Sequence, residues 1–134
     1  MITLEGHTAL VTGGTMGVGR AIAETLAASG VDVVLHGLHE DDDARQAVAT
    51  IHDGGRDCHL VTGDLAGSTE ECVGHVFDQA IAAMPDIDIL ISNAGAYSEP
   101  DFLDVDFETF DRDLESIKKI LQSFHEELFP EQAE

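Results

Sequence analysis

Thr12-Gly13-Gly14-Thr15-Met16-Gly17-Val18-Gly19 is the stretch whose reading decides the fold. Ahead of it, Thr8-Ala9-Leu10-Val11-Thr12 is short and apolar enough for a buried parallel strand. Behind it, Arg20-Ala21-Ile22-Ala23-Glu24-Thr25-Leu26-Ala27-Ala28-Ser29-Gly30 reads as a helix: Val18, Ile22 and Leu26 recur every four residues and Gly30 is its stop. Glycines between a strand and a helix let the chain turn tightly and bring its backbone close to a pyrophosphate. The unpaired N–H groups of the helix start then face the anion. The order is Thr-Gly-x-x-x-Gly-x-Gly rather than Gly-x-Gly-x-x-Gly, and a glycine-rich turn alone often does no more than connect a strand to a helix. Three further stretches weigh in.

Thr62-Gly63-Asp64-Leu65 follows the short apolar run Cys58–Val61, and an Asp at the end of a third strand can accept a hydrogen bond from an adenine amino group. Ile87-Asp88-Ile89-Leu90-Ile91-Ser92-Asn93-Ala94-Gly95 is a buried strand ending in small residues that let backbone approach a ribose. Val31–Leu35 is a second strand, followed by His36-Gly37-Leu38-His39 where a ribose would sit. In this order and with ordinary spacing, the motifs resemble the short-chain dehydrogenase/reductase family over roughly residues 3–112, the N-terminal half of a typical member.

The resemblance implies an α/β fold of Rossmann type, a doubly wound parallel sheet of strand order 3-2-1-4, truncated relative to the family. It implies a cofactor, NAD or NADP. Gly13, Thr15, Gly17 and Gly19 would line its phosphates with Met16 and Val18 adjacent. Asp64 and Leu65 would hold the adenine, and Asn93, Ala94 and Gly95 would flank the nicotinamide ribose. Members that prefer NAD carry an acid just after the second strand, and members that prefer NADP often carry an Arg there. The matching positions are Gly37 and Leu38, which supply neither. His36 or His39 could contact a 2′-phosphate, while Glu40 and Asp41–Asp43 close behind disfavour added negative charge. The reading leans to NADP.

The family's chemistry needs a Tyr-x-x-x-Lys pair and an upstream Ser, the Lys lowering the pKa of a proton-transferring Tyr. Here the one tyrosine, Tyr97, is followed four residues later by Asp101. The lysines, Lys118 and Lys119, are preceded at that offset by Leu114 and Glu115. The family's structural Asn would fall near Ile117. No catalytic residue is therefore assigned, and Tyr97 reads as an ordinary loop residue. The chain is expected to be a natural truncation, a fragment, or one half of a two-chain enzyme.

Length predicts one domain over residues 1–134. Acidic residues number 27 and basic ones 6, for a net charge of −21. Such a surface repels nucleic acid and anionic membrane alike and excludes both as partners. It reads as a solvated surface or as one suited to high salt, where screening relieves self-repulsion. Cys58 and Cys72 read as unpaired residues of a reducing compartment. With no signal peptide and no long apolar run, the expected location is cytoplasmic. His36-x-x-His39 has no third ligand placed by sequence, so no metal site is assigned.

Strand and helix alternate along the chain, which predicts helices on both faces of the sheet. Asp41–Asp43 can cap a helix running from Asp43 to about His52 and closed by Gly54-Gly55. Ser68-Thr69-Glu70-Glu71 is a capping-box start for a helix striped by Cys72, Val73, Val76, Phe77, Ala80 and Ile81 and ended by Met84-Pro85. A long terminal helix is expected at 107–129. Phe107, Phe110, Leu114, Ile117, Leu121, Phe124 and Leu128 are spaced 3-4-3-4-3-4 along it. Either this seam is the core face of one helix lying on the sheet, or part of it meets another helix. The fourth strand would lie at a sheet edge with its outer hydrogen bonds unmade, so a second copy or another chain is expected to cover it. Two functions follow: the cofactor-binding half of an oxidoreductase, or a non-catalytic module that senses dinucleotide or assembles through the terminal helix.

Overall fold

A computed structural model describes residues 2–65, 69–94, 104 and 106–132. The described elements run β1 (Thr8–Val11), α1 (Gly17–Ala28), β2 (Asp32–Gly37), α2 (Asp42–Asp53), β3 (Cys58–Thr62), α3 (Thr69–Ala83), β4 (Ile89–Ile91) and α4 (Phe107–Leu128), then a 3-10 turn at Pro130–Gln132. The strands form one sheet in the order β3-β2-β1-β4. Every pairing is parallel, with Leu10 opposite both Val34 and Leu90, and Leu35 opposite Leu60. The Rossmann-type topology is the one the family resemblance implies, and the parallel pairing is the one the alternation of elements predicts.

Side chains alternate across the pleat, so each strand feeds two cores. Ala9, Val11, Val33, Leu35 and Cys58 point to one face and pack with Ala23 and Ala27 of α1 and Ala47 and Ile51 of α2. Leu10, Val34 and Val61 point to the other and meet Val73, Val76 and Ala80 of α3 and Ile120 and Phe124 of α4. Burial on both faces is why β1 and β2 read as continuous apolar runs.

Local chemistry sets the helix boundaries. The Asp41 carboxylate accepts from the Ala44 N–H at 2.9 Å and caps α2, one residue earlier than the helix start expected from sequence. The Asp106 carboxylate accepts from the Thr109 N–H at 2.7 Å and caps α4; that bond is the main reason its pKa lies below the ordinary carboxylate value. Ser68 of the expected capping box lies outside the described residues, although α3 begins at Thr69 with Glu70 and Glu71 in its first turn.

Three details go beyond the sequence pattern. Along the recurrence Val18, Ile22, Leu26, Val18 is 70% exposed and Leu26 packs in part against the first core, while the buried residues of α1 are Gly19, Ala23 and Ala27. Small residues lie inward because α1 starts close against the end of β1. The fourth strand spans only Ile89–Ile91, and all three residues are half-buried. The seam of α4 is not a single core face. Phe124 is fully buried and Leu128 half-buried, but Phe107, Phe110, Leu114, Ile117 and Leu121 are exposed. In that half of the helix Thr109, Asp113 and Ser116 are the half-buried line, continued by Ile120. A 3.5-residue repeat drifts about 20° per heptad on a straight helix, so the seam rotates out of the core along its length.

Phe124→Ala is expected to lower the unfolding free energy by about 3–5 kcal/mol, the range for emptying a buried phenylalanine site. Urea denaturation followed by circular dichroism checks this, and an unchanged midpoint would show that α4 does not close the second core.

Candidate functional site

The C-terminal ends of all four strands point the same way, and the loops that leave them enclose a cleft of about 710 Å³. Its first wall is the β1–α1 loop. Gly13 is the fixed point of that wall. Its N–H donates to His36 Nδ1 at 3.1 Å, and its carbonyl accepts from the Asn93 amide at 3.1 Å. Gly19, in the first turn of α1, packs so close that a Cβ there would lie 2.2 Å from the Gly13 carbonyl oxygen and 2.6 Å from Asn93 Nδ2. No side chain fits. Gly17 has φ of +57° and open space where a Cβ would stand. It turns the chain into α1 through a left-handed conformation that only glycine adopts freely.

The start of α1 differs chemically from the other helix starts. Its N-cap residue, Met16, makes no side-chain capping bond, and no acid lies in its first turn. The first turns of α2, α3 and α4 all carry Asp or Glu. A helix start leaves amides without an intrahelical acceptor, and at α1 those belong to Gly17, Val18 and Gly19. The positive end of the helix dipole adds to them.

The second wall is the end of β2. His36 is 4% exposed, and its Nε2 lies 2.8 Å from the Gly63 carbonyl oxygen at the end of β3. The partners dictate the tautomer: Nδ1 must accept from an amide, so Nε2 carries the proton and donates. Burial pushes the pKa of His36 down, against smaller upward effects of the Gly63 bond and the Asp64 charge. Gly37 follows, where a Cβ would stand 2.7 Å from Thr15 Cγ2. Leu38 and His39 are exposed beyond it.

The remaining wall comes from β3 and β4. Asp64 is exposed at the rim, and Leu65 is buried into the second core. At the end of β4, the Thr12 hydroxyl accepts from the N–H groups of both Asn93 (3.1 Å) and Ala94 (3.0 Å), latching β4 to β1.

Most of the residues singled out from sequence thus meet at one place. Gly13, Thr15, Met16, Gly17 and Val18 line the cleft on one side. Leu38, Asp64, Leu65, Asn93 and Ala94 line the other sides. Gly19 lies behind the lining, in the packed turn. Gly95 and Tyr97 fall outside the described residues. One expectation fails: His36 cannot serve a 2′-phosphate, because both ring nitrogens already have partners. Sequence reasoning missed the latch of Thr12 and the tie made by His36. The signals were a hydroxyl at the last position before the glycines, and a polar residue continuing the apolar run Val33–Leu35. Among the described residues no three His, Cys, Asp or Glu side chains gather as a metal site.

Comparisons with known proteins agree with this geometry. Residues 7–118 match the family model of the short chain dehydrogenases. An uncharacterised oxidoreductase of Bacillus subtilis is 40% identical over 91 residues, covering 68% of this chain and 31% of its own. An L-rhamnose 1-dehydrogenase (NAD(P)(+)) of Sphingomonas sp. is 35% identical over 112 residues, covering 84% of this chain and 43% of its own. A short chain dehydrogenase of Burkholderia cenocepacia, solved in complex with NADP, superposes with a TM-score of 0.72 at 32% identity, over 90% of this chain and 50% of that one. The chain spans less than half the length of these two curated relatives. By sequence, by topology and by the glycine turn at the mouth of its cleft, the chain belongs to the short-chain dehydrogenase family.

Proposed function

We propose that residues 1–134 form a single dinucleotide-binding unit, the cofactor-binding half of an NAD(P)-dependent oxidoreductase. The observation that carries this reading is the start of α1: a first turn with no side-chain cap and no acid of its own, whose Gly17 and Val18 open on the cleft. A pyrophosphate fits there because its oxygens accept from those amides and no Cβ stands at Gly17. Gly13, Thr15, Met16, Val18 and Gly19 shape the phosphate end. Asp64 and Leu65 hold the adenine, and Asn93, Ala94 and Gly95 flank the nicotinamide ribose. When bound, the nicotinamide supplies hydride transfer. The Tyr, Lys and Ser of the family's proton chemistry come from another stretch of polypeptide.

NADP is the proposed preference over NAD. Gly37 and Leu38 offer no carboxylate to the ribose hydroxyls, and Thr15 leaves no room for one at Gly37. With His36 occupied, exposed His39 is the imidazole left to meet a 2′-phosphate. The Burkholderia relative that holds NADP supports the same preference. Two free cysteines, with the buried Cys58 thiol pushed up to about 12, suit a reducing cytoplasm. No described helix is long and apolar enough to cross a membrane.

The exposed stripe of α4 favours a second role, assembly with another copy of the chain. Phe107, Phe110, Leu114, Ile117 and Leu121 are exposed along one side of the helix. Large contiguous apolar patches mark interaction sites. An antiparallel second copy that sets Leu114 opposite Ile117 brings Asp111 of each helix toward Lys118 of the other. The assembly would leave β4 at or near the joint.

Dinucleotide titration followed by thermal unfolding tests the first reading. A saturating excess of NADP, about 100 times its Kd, should stabilise the protein by about 2.7 kcal/mol. Gly17→Ala should weaken binding at least tenfold, while its backbone strain costs only about 1–3 kcal/mol. No shift with either dinucleotide would overturn the reading.

Sedimentation analysis tests assembly. The wild type should be a dimer whose affinity rises with salt, since each copy carries −21 and screening relieves the repulsion. Leu114→Glu should yield a monomer of unchanged fold, and a wild-type monomer at high salt would sink the proposal.

A further inference from the structure

His36 does more than fill space at the end of β2. Its ring joins two loops that leave different strands: the Gly13 N–H donates to Nδ1, and Nε2–H donates to the Gly63 carbonyl. The same residue accepts the Gly14 N–H on its own carbonyl at 2.8 Å, and the next residue, Gly37, accepts the Gly63 N–H at 3.2 Å. Two consecutive amides of the glycine loop therefore end on His36, one on its backbone and one on its side chain. Without the imidazole acceptor, the part-buried Gly13 amide would lose its partner. The loop would turn to satisfy it, carrying the Gly13 carbonyl off the Asn93 amide and shifting the start of α1, which packs on that carbonyl through Gly19.

We infer that His36, as its neutral Nε2–H tautomer, is a positioning residue that holds the glycine loop in the shape that receives the dinucleotide by accepting the Gly13 N–H, the Gly63 carbonyl fixing which ring nitrogen is the acceptor. The inference rests on the dinucleotide reading above, but the tie itself belongs to the free protein. His36 lines the cleft, but both its ring nitrogens are taken by backbone groups, and its effect on the loop runs through Gly13.

Isosteres separate the two bonds. Asn places its Oδ1 at the same bond separation from Cα as imidazole Nδ1, so His36→Asn keeps an acceptor for Gly13. Gln places its amide nitrogen as Nε2 is placed, so His36→Gln keeps the bond to Gly63 alone. His36→Leu keeps neither. At about pH 8, where the imidazole is neutral, NADPH affinity measured by fluorescence should fall tenfold or more in the Leu and Gln variants, and His36→Asn should restore most of it. Nitrogen-15 spectra of the unliganded protein should show His36 protonated at Nε2 alone.

Acid gives a second readout. Asp64 beyond β3 is the charged group that acts on the ring, and His75 on α3 stands against Gly63. The folded pKa lies below 6.5, so the unfolded chain binds the extra proton as pH falls through 6.5. Stability present above that value should decline toward the lowered pKa, and His36→Asn should lack that part of the slope.

An Nδ1–H tautomer would overturn the inference. So would Leu and Gln variants that bind as tightly as wild type, or an Asn variant no better than Leu. Should the Leu variant fail to fold, the tautomer and the Asn–Gln contrast still decide. Should wild type bind neither dinucleotide, the reading of the cleft falls, while the tautomer still shows whether the tie exists.

Discussion

The backbone of Gly13 is held from three directions, and the geometry of the cleft depends on that. Its N–H is taken by the end of β2, its carbonyl by the end of β4, and the same carbonyl is the surface on which α1 rests. These contacts join residues up to 80 positions apart in sequence. A hydrogen bond contributes only about 0.5–1.5 kcal/mol net, so no single one of them fixes the loop. The steric constraint does: with 2.2 Å between the Gly13 oxygen and the place of a Gly19 Cβ, helix and loop can meet only if residue 19 has no side chain. The close approach then aims the first amides of α1 into the cleft, and it requires the small inner face of Gly19, Ala23 and Ala27 further along the helix.

Charge works at two ranges here. At long range a net −21 repels any anion, and salt screens that repulsion over about 10 Å at 0.1 M. At short range the sign reverses at one helix start. The described starts of α2, α3 and α4 place acids against their own dipoles, which stabilises each helix and closes it to anions. Only α1 among them forgoes this, and it does so at the mouth of the cleft. A chain with 27 acidic residues that keeps them out of one helix turn has left that turn's partial positive charge for something else.

Elements that depend on pattern were legible in the sequence. The alternation of elements gives a parallel sheet with helices on both faces, the glycine spacing marks the turn before α1, and the strand order is the one the family resemblance implies. The cap at Asp41 and the stripe on α3 follow from side-chain chemistry within a few residues. What was not legible depends on distance in space. Periodicity ranks residues by apolarity and does not show which of them face inward, whereas a helix that must approach a strand closely turns its smallest residues, here Gly19, Ala23 and Ala27, inward. His36 looked like a ligand contact because its position in the order of elements is where a ribose binds. Its engagement by Gly13 and Gly63 arises from two loops separated from it by 23 and 27 residues. Thr12 was read as the end of a strand, and its hydroxyl latch to Asn93 and Ala94 exists only once β4 lies beside β1.

The terminal helix shows why an unbroken seam does not specify one partner. Seven apolar residues at heptad spacing occupy one line only if the helix supercoils; on a straight helix the line turns by about 60° over three heptads. Core packing captures the C-terminal end, where Phe124 and the off-seam Ile120 close against α3. The turn of the line carries the other end outward, until Phe107 stands 89% exposed. Beneath that outer line Thr109, Asp113 and Ser116 are half-buried and continue into the buried Ile120 and Phe124, so rolling the helix to bury the outer phenylalanines would turn Ile120 and Phe124 out of their core. The helix therefore carries an inner line and an outer apolar line that its own sheet cannot serve together.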